Sequence, residues 1–375
     1  MKLNQTTLAI LTIGAFSSCT NAAGLSMSQL ATTKSVATAG AGNVTNALDS
    51  SATVSNPAAL SQIKQSSYQI GGQYIDVFST FTREDNGATT ESSKGLIAPH
   101  LSYAKRMNEN TVVGASLHSA GGIGVDYSNG VSADPINLIS ENAISIVNLT
   151  GAMSYQLSDR LSIGASAILQ HASIDVVGGI NTSSDKLASG TSIAPTFAFS
   201  TFYSINDKTS IGAQYNHSSD HEFEVSSSTG LDPEVELSWV RNFDIGIQHS
   251  LTQSTAILLN AKMENWHDYN AKYDMTYSLG LGLQKKLDRW TLYTGASIDS
   301  SPVSKEKRDV LLPVDKQWRF GVGAEYLLDS GRQLGLAYQY QNNGKAEINA
   351  GNGIIQPTGN YTDNRIHFLT MSYRY

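Results

Sequence analysis

His217 and His221 stand four apart, with Asp220 and Glu222 beside His221. Imidazole and carboxylate together are a zinc donor set. That spacing brings side chains together on a helix, but this stretch reads as a strand end or loop. A solvated loop is therefore the expectation, and no metal is assigned. His100, His118, His171, His249 and His267 are scattered, without a Gly-x-Ser-x-Gly elbow or a His-Glu-x-x-His helix. Nothing pairs a nucleophile with a base, so the chain does not read as an enzyme. Gly121-Gly122-Ile123-Gly124 lacks the spacing and βαβ context of a phosphate loop. A single cysteine, Cys19, excludes an intrachain disulfide and a multi-cysteine metal site. No cofactor is implied. The net charge of −7 argues against nucleic acid, which needs a basic surface.

The elements that carry these residues begin with a secretory signal. Lys2 supplies a positive start, Leu8–Phe16 a short apolar run, and Thr20-Asn21-Ala22 a small-residue cleavage site. Residues 1–22 are read as signal, which removes Cys19. The rival reading makes Cys19 the acylated residue of a lipoprotein signal, but Phe16 stands where Leu is usual. No later segment approaches the roughly 20 apolar residues of a membrane helix. The exported chain is then either soluble or a β-barrel.

From about Ser67 apolar and small polar residues alternate. Tyr273, Met275, Tyr277, Leu279, Leu281 and Leu283 fall on one face, and Asp274, Thr276, Ser278, Gly280, Gly282 and Gln284 on the other. Phe320–Leu328, Leu334–Tyr340 and His367–Tyr375 repeat the pattern. Fourteen such segments are counted: 67–81, 97–106, 111–126, 143–157, 161–177, 192–205, 209–222, 234–249, 254–265, 273–287, 290–300, 317–328, 333–341 and 365–375. Several reach the about 9–11 residues that cross a bilayer as a tilted strand.

Six connections are short: 107–110, 158–160, 206–208, 252–253, 288–289 and 329–332. They alternate with seven longer ones rich in Gly, Ser, Asn and Asp. A transmembrane barrel sorts its turns in this way, short on the periplasmic side and long outside. Because unpaired backbone is not viable in hydrocarbon, an even strand count allows closure. The expected fold is all-β: a transmembrane antiparallel β-barrel of about fourteen strands over residues 66–375, with both termini periplasmic. Trp239, Trp266, Trp290 and Trp318 near strand ends suit interfacial girdles. The charged stretch Lys305–Asp309 reads as a solvated loop, with contact to lipopolysaccharide as the rival. Residues 23–65 are rich in Ala, Ser, Thr and Gly and have few large apolar residues. They are either disordered or packed inside something larger.

Four places resemble the FadL/TodX family of outer-membrane hydrocarbon transporters. They are Ala23-Gly24-Leu25, Ser55-Asn56-Pro57-Ala58-Ala59-Leu60, Ser119–Tyr127, and Ser301-Pro302-Val303 through Leu312-Pro313 to Trp318 and Gly321. The resemblance implies an N-terminal hatch, or plug, over residues 23–65 inside the lumen, carried by Leu25, Asn56, Pro57, Ala58 and Leu60. It also implies a lateral gate at a kink of the third strand, at Gly121, Gly122 and Gly124. Ala120 and Gly121 replace the family's usual proline and aromatic there. Tyr375 resembles the terminal aromatic read by the barrel-insertion machinery. The implied function is passive uptake of hydrophobic small molecules, long-chain fatty acids foremost, across a Gram-negative outer membrane, with its lipid and lipopolysaccharide as surroundings. A general porin, or a structural or adhesive barrel, is the alternative, since many inward positions are small and polar.

Overall fold

A strand that is greasy on one face and small and polar on the other suits a wall with lipid outside and a polar interior. The computed structural model builds such a wall. It describes residues 29–127, 141–178, 185–227, 234–308, 310, 312–349 and 358–375. The expected signal, with Cys19 and Leu25, lies outside the described residues.

The strands in chain order are β1 (Ser66–Arg83), β2 (Thr89–Arg106), β3 (Thr111–Asp126), β4 (Glu141–Gln156), β5 (Leu161–Gly178), β6 (Asp185–Asn206) and β7 (Thr209–Asn216). Three short segments follow, β8 (Ser219–Glu224), β9 (Ser226–Ser227) and β10 (Glu234–Trp239). The wall resumes with β11 (Asn242–Ser250), β12 (Thr255–Asn265), β13 (Met275–Leu287), β14 (Trp290–Asp299), β15 (Gln317–Leu327), β16 (Gln333–Asn342) and β17 (Gly359–Arg374). Among the described residues, β1–β7 and β11–β17 form a closed antiparallel barrel of fourteen strands. Closure pairs β1 with β17, from Gln69 opposite Arg374 to Arg83 opposite Gly359. Tyr68 and Tyr375 exchange backbone hydrogen bonds of 2.9 and 3.0 Å at the seam.

The alternation read from sequence is the in–out pattern of this wall. Tyr277, Leu279 and Leu281 are 54%, 61% and 55% exposed on the outside, while Thr276 and Ser278, which alternate with them, are buried within. All six short connections lie at one end. The opposite end carries the longer ones with one exception. β1 and β2 extend further than their apolar pattern, leaving only residues 84–88 as a turn closed by Arg83 and Ala88. All the added residues except Gly95 and Leu96 are polar, so no contrast marked them as strand. The expected segments 209–222 and 234–249 are each broken in two. β7 pairs with β11, whereas β8 leaves the wall and pairs with β10.

The tryptophans divide. Trp290 and Trp318 lie outside, packed on Tyr326 and Tyr340 at 4.7 and 5.2 Å between ring centroids. Trp239 and Trp266 are buried among the connections of the long-loop end, correcting their expected place in a girdle. Both are flanked by apolar residues that form a satellite core there, a pairing that alternation cannot reveal.

Residues 29–63 run across the inside of the barrel, nearly all buried. α1 (Thr33–Ala37) is capped by Thr32, whose side chain accepts from the Ser35 amide. Its Val36 and Ala37 pack on Ile75, Tyr293, Ala337, Ile366 and Phe368 of the wall. α2 (Ala52–Ser55) and a 3₁₀ turn, Pro57–Gln62, press against the opposite side, where Leu60 meets Ala104, Val112, Ala152 and Phe202.

Candidate functional site: a gap in the wall beside a filled lumen

Asn56 begins the 3₁₀ turn as its N-cap, its Oδ1 accepting from the Ala58 amide at 3.1 Å, and Pro57 fills the first position, where no amide hydrogen is needed. The Asn56 side chain then donates to the Val44 carbonyl at 2.7 Å and to the Thr201 carbonyl of β6 at 3.0 Å. The Ala58 carbonyl accepts from Ser154 of β4 and Ser162 of β5, both at 2.9 Å, and its amide donates to Ser200 of β6 at 2.9 Å. Four of the expected residues, Asn56, Pro57, Ala58 and Leu60, are thus gathered onto β3–β6. Their backbone lies so close to β5 that a Cβ at Gly164 would sit 2.3 Å from the Ala58 nitrogen.

Across the segment, Asp49 meets Arg374 at 3.1 Å, and Arg374 also pairs with Glu325 at 2.8 Å. Burial alone would raise the Asp49 carboxyl, but Arg374 and hydrogen bonds from Ser51 and Asn46 outweigh it and hold it below its ordinary value. Lys34, fully buried with no hydrogen-bond partner at Nζ, is pushed down to about 8 by burial.

The ladder between β2 and β3 runs from Arg106 opposite Val112 to His100 opposite His118, and there it stops. Both strands continue. β2 stays paired with β1 as far as Thr89, and β3 with β4 as far as Asp126. The next residue of β2 is Pro99, which has no amide hydrogen to give. In β3, Ser119 faces Val147 and Gly121 faces Ile146, so Ala120 is the extra residue of a β-bulge. The bend therefore begins at Ala120, one residue before the run expected to form it, and takes in Gly121, the first residue of that run. Gly122 and Gly124 resume the pairing with β4. The strands meet again where the Asp126 amide donates to Ser92 at 2.9 Å and the Asp126 carboxylate faces Lys94 at 3.7 Å. The result is a stretch of unpaired strand edge, a window in the ladder.

Ala120 packs on an apolar cluster of Ile144, Ile146, Trp239, Trp266 and Tyr273, closed from the long-loop end by Val303, Leu312 and Val314. Below it a cavity of about 130 Å³ lies between the two predicted sets of residues. Thr53–Ser55 border it just before Asn56, and His118–Ala120 just before Gly121. Sequence reasoning missed His118, Trp239 and Trp266. Only strand register brings them together, and no local spacing records it.

Two expectations about polar residues are corrected. His221 is buried inside the barrel with Nε2 at 3.1 Å from Gln170 Oε1, and His217 stacks on Phe197 at 4.6 Å. They belong to no solvated loop, and they do not converge on one point. Lys305, Glu306 and Lys307 are exposed as expected, but Arg308 is buried. It donates to the carbonyls of Val303, Val314 and Glu347 and to Ser301, pinning the loop over the apolar cluster. Among the described residues no three His, Cys, Asp or Glu side chains group as metal ligands. Tyr375 closes the seam with Tyr68, their rings 5.5 Å apart.

Comparison with known proteins agrees with this geometry. Outer membrane protein P1 of Haemophilus influenzae is 21% identical over the whole of both chains. A Pseudomonas aeruginosa FadL homologue superposes with a TM-score of 0.77 at 18% identity, covering 94% of this chain and 99% of that one. The Pseudomonas putida toluene transporter TodX gives a TM-score of 0.64 at 17% identity, covering 87% and 93%. The model of the outer membrane protein transport protein family (OMPP1/FadL/TodX) matches residues 13–233 and 236–375. This chain, an outer-membrane β-barrel, belongs to that family of channels for hydrophobic molecules.

Proposed function

We propose that this protein carries hydrophobic small molecules, long-chain fatty acids foremost, passively into the periplasm. The ligand is captured at the long-loop end, which faces outward, and leaves sideways between β2 and β3. Residues 23–65 act as the hatch that denies it a straight path, and both termini face the periplasm. Tyr375 serves barrel insertion.

The observation that carries this reading is the interrupted β2–β3 ladder beside the apolar cluster. Unpaired strand edges are costly in a membrane wall, so an opening retained there needs a use. The lumen below is crossed by residues 29–63, which favours a lateral exit over an axial one. Capture draws on burial of alkyl surface, about 0.8 kcal/mol per CH₂, so long chains gain most. The polar interior that would suit a porin is here hydrogen-bonded to that segment, as at Ser154, Ser162 and Ser200.

Uptake of labelled oleate by cells that depend on this protein tests the reading. Gly122→Val stiffens β3 beside the window and is expected to lower uptake several-fold, with the folded barrel intact on a heat-modifiability gel. Deletion of residues 23–60 should convert a silent channel into one with large steady conductance. Unchanged uptake in the first and continued silence in the second would overturn the gate and the hatch respectively.

A further inference from the structure

Five residues that line the cavity under the window each carry a buried polar atom without a hydrogen-bond partner. These atoms are the hydroxyls of Thr53, Thr150 and Ser166, His118 Nδ1 and Gln214 Oε1. None of these residues is more than 6% exposed. Gln214 has committed its amide hydrogens to the Val54 carbonyl and Asn216 Oδ1, each at 2.8 Å, which leaves its oxygen as an acceptor only. Buried polar groups ordinarily find partners. Five orphans on one cavity point to something that occupies it. Three hydroxyl donors and an imidazole suit an oxygen, and the lone Gln214 oxygen suits an O–H.

The charges facing the cavity narrow the choice. Its one lysine, Lys262, is held 2.6 Å from Glu264. Asp244 lines it too, accepting from Asn260. His217 is engaged with the Tyr215 hydroxyl at 2.9 Å, His221 faces Gln170, and His100 stands behind His118 at 6.1 Å between ring centroids. Among the described residues no uncompensated cation lines the space, so a carboxylate entering it would sit beside Asp244 with nothing to neutralise it. At about 130 Å³ the cavity holds a small head and no long chain. Ala120, Trp239 and Val240 border the cavity and also belong to, or pack on, the apolar cluster above.

We propose that this cavity seats the oxygen-bearing head of an amphiphile in its uncharged form, a hydroxyl or a carboxylic acid, while the hydrocarbon part lies along the apolar cluster. The inference rests on the transport reading and sharpens it: a fatty acid is taken in its protonated form, and such neutral amphiphiles are preferred over bare hydrocarbons and over carboxylates.

The test is equilibrium binding of radiolabelled decanol, decanoic acid and decane to the purified full chain in lipid nanodiscs, with empty nanodiscs subtracted. At pH 8 decanol is expected to bind at least tenfold more tightly than either of the others. Lowering the pH should raise the affinity for decanoic acid about tenfold per unit, down to the carboxyl pKa near 4–5. Decanol does not titrate, and its binding reports any effect of the cavity's own histidines and carboxylates. Thr150→Val with Ser166→Ala should weaken decanol about tenfold and leave decane unchanged. Ser166→Ala alone, which is nearly isosteric, should show part of that loss. Equal binding of decanol and decane, insensitive to both variants, would mean that water alone fills the cavity. Tightest binding of decanoate at pH 8 would overturn the preference for an uncharged head. In either case oleate uptake that depends on the protein would leave the transport reading standing. If such uptake is missing as well, both fall.

Discussion

The closest approach between the inner segment and the wall is open to a one-atom test. In Gly164→Ala the added Cβ would lie 2.3 Å from the Ala58 nitrogen and 2.6 Å from the Pro57 carbonyl carbon, both backbone atoms with no rotamer to escape into. The turn must lift off β5. Lifting it breaks the two bonds that the Ala58 carbonyl accepts from Ser154 and Ser162 and the one that its amide gives to Ser200. At about 0.5–1.5 kcal/mol net each, the loss is roughly 1.5–4.5 kcal/mol. The docked-to-lifted ratio should then fall by a factor of about ten to a thousand. Amide hydrogen exchange over residues 52–62, read by mass spectrometry, should accelerate by that factor while β5 and β6 keep their protection. Gly151→Ala on β4 is the matched control, because nothing lies within 4 Å of its added Cβ. Its exchange should equal that of the unaltered protein. If Gly164→Ala kept the same slow exchange over 52–62, the close contact between turn and wall would be refuted, and with it the account of Asn56-Pro57-Ala58 as a docked element.

Other consequences follow from charge and burial. The Asp49 carboxyl, held below its ordinary value of 3.8, contributes docking that is complete above that value and is lost as pH falls through the lower, docked one. Asp49→Asn should remove this acid limb from exchange measured over residues 43–51. Lys34 has the opposite sign. Its docked pKa of about 8 lies below the ordinary lysine value of 10.5, so docking is weakest when it is charged and strengthens as pH rises from 8 to 10.5. Lys34→Met should flatten that rise. On the wall, Leu279→Lys puts a charge on the outer face and should cost about 2–4 kcal/mol in urea titrations of barrel unfolding in lipid; a neutral result would place Leu279 away from the bilayer. Trp266→Ala empties a fully buried site in the apolar cluster. It should cost about 3–5 kcal/mol locally and lower oleate uptake most at low oleate concentration. Uptake unaltered at every concentration would separate the cluster from capture.

The wall was legible in the sequence because lipid and lumen impose opposite demands on neighbouring residues. Leu279 and Ser278 could not exchange faces, and a period of two records this. Where strands rise past the lipid the demand ends, and Thr89–Leu96 of β2 went unmarked for that reason. The Asn56-Pro57-Ala58 turn was legible by a different route, since an N-cap followed by proline is a local signal. Its partners Ser154, Ser162 and Ser200 lie about a hundred residues or more away and left no trace. The bend in β3 was placed on the glycines because glycine tolerates irregular backbone. A bulge needs only one surplus residue, however, and the register of β4 makes that residue Ala120.

The same register explains why the window and its polar cavity coincide. A bulge in a strand reverses its in–out alternation beyond the insertion. Below Ala120, β3 presents His118 and Ser116 to the interior as part of a polar lining. Beyond it, β3 no longer pairs with β2, and Ala120 packs against the apolar cluster. One surplus residue therefore opens the ladder, ends the polar lining and begins the apolar one within a single turn of the wall. Removing it, by deleting Ala120, should restore the alternation and let β3 pair with β2 past His100. Cysteines placed at Ile97 of β2 and Gly122 of β3 would report this by disulfide formation across the former window. The deletion is expected to raise cross-linking and abolish oleate uptake together. Cross-linking that rises while uptake persists would show that ligand leaves by another route.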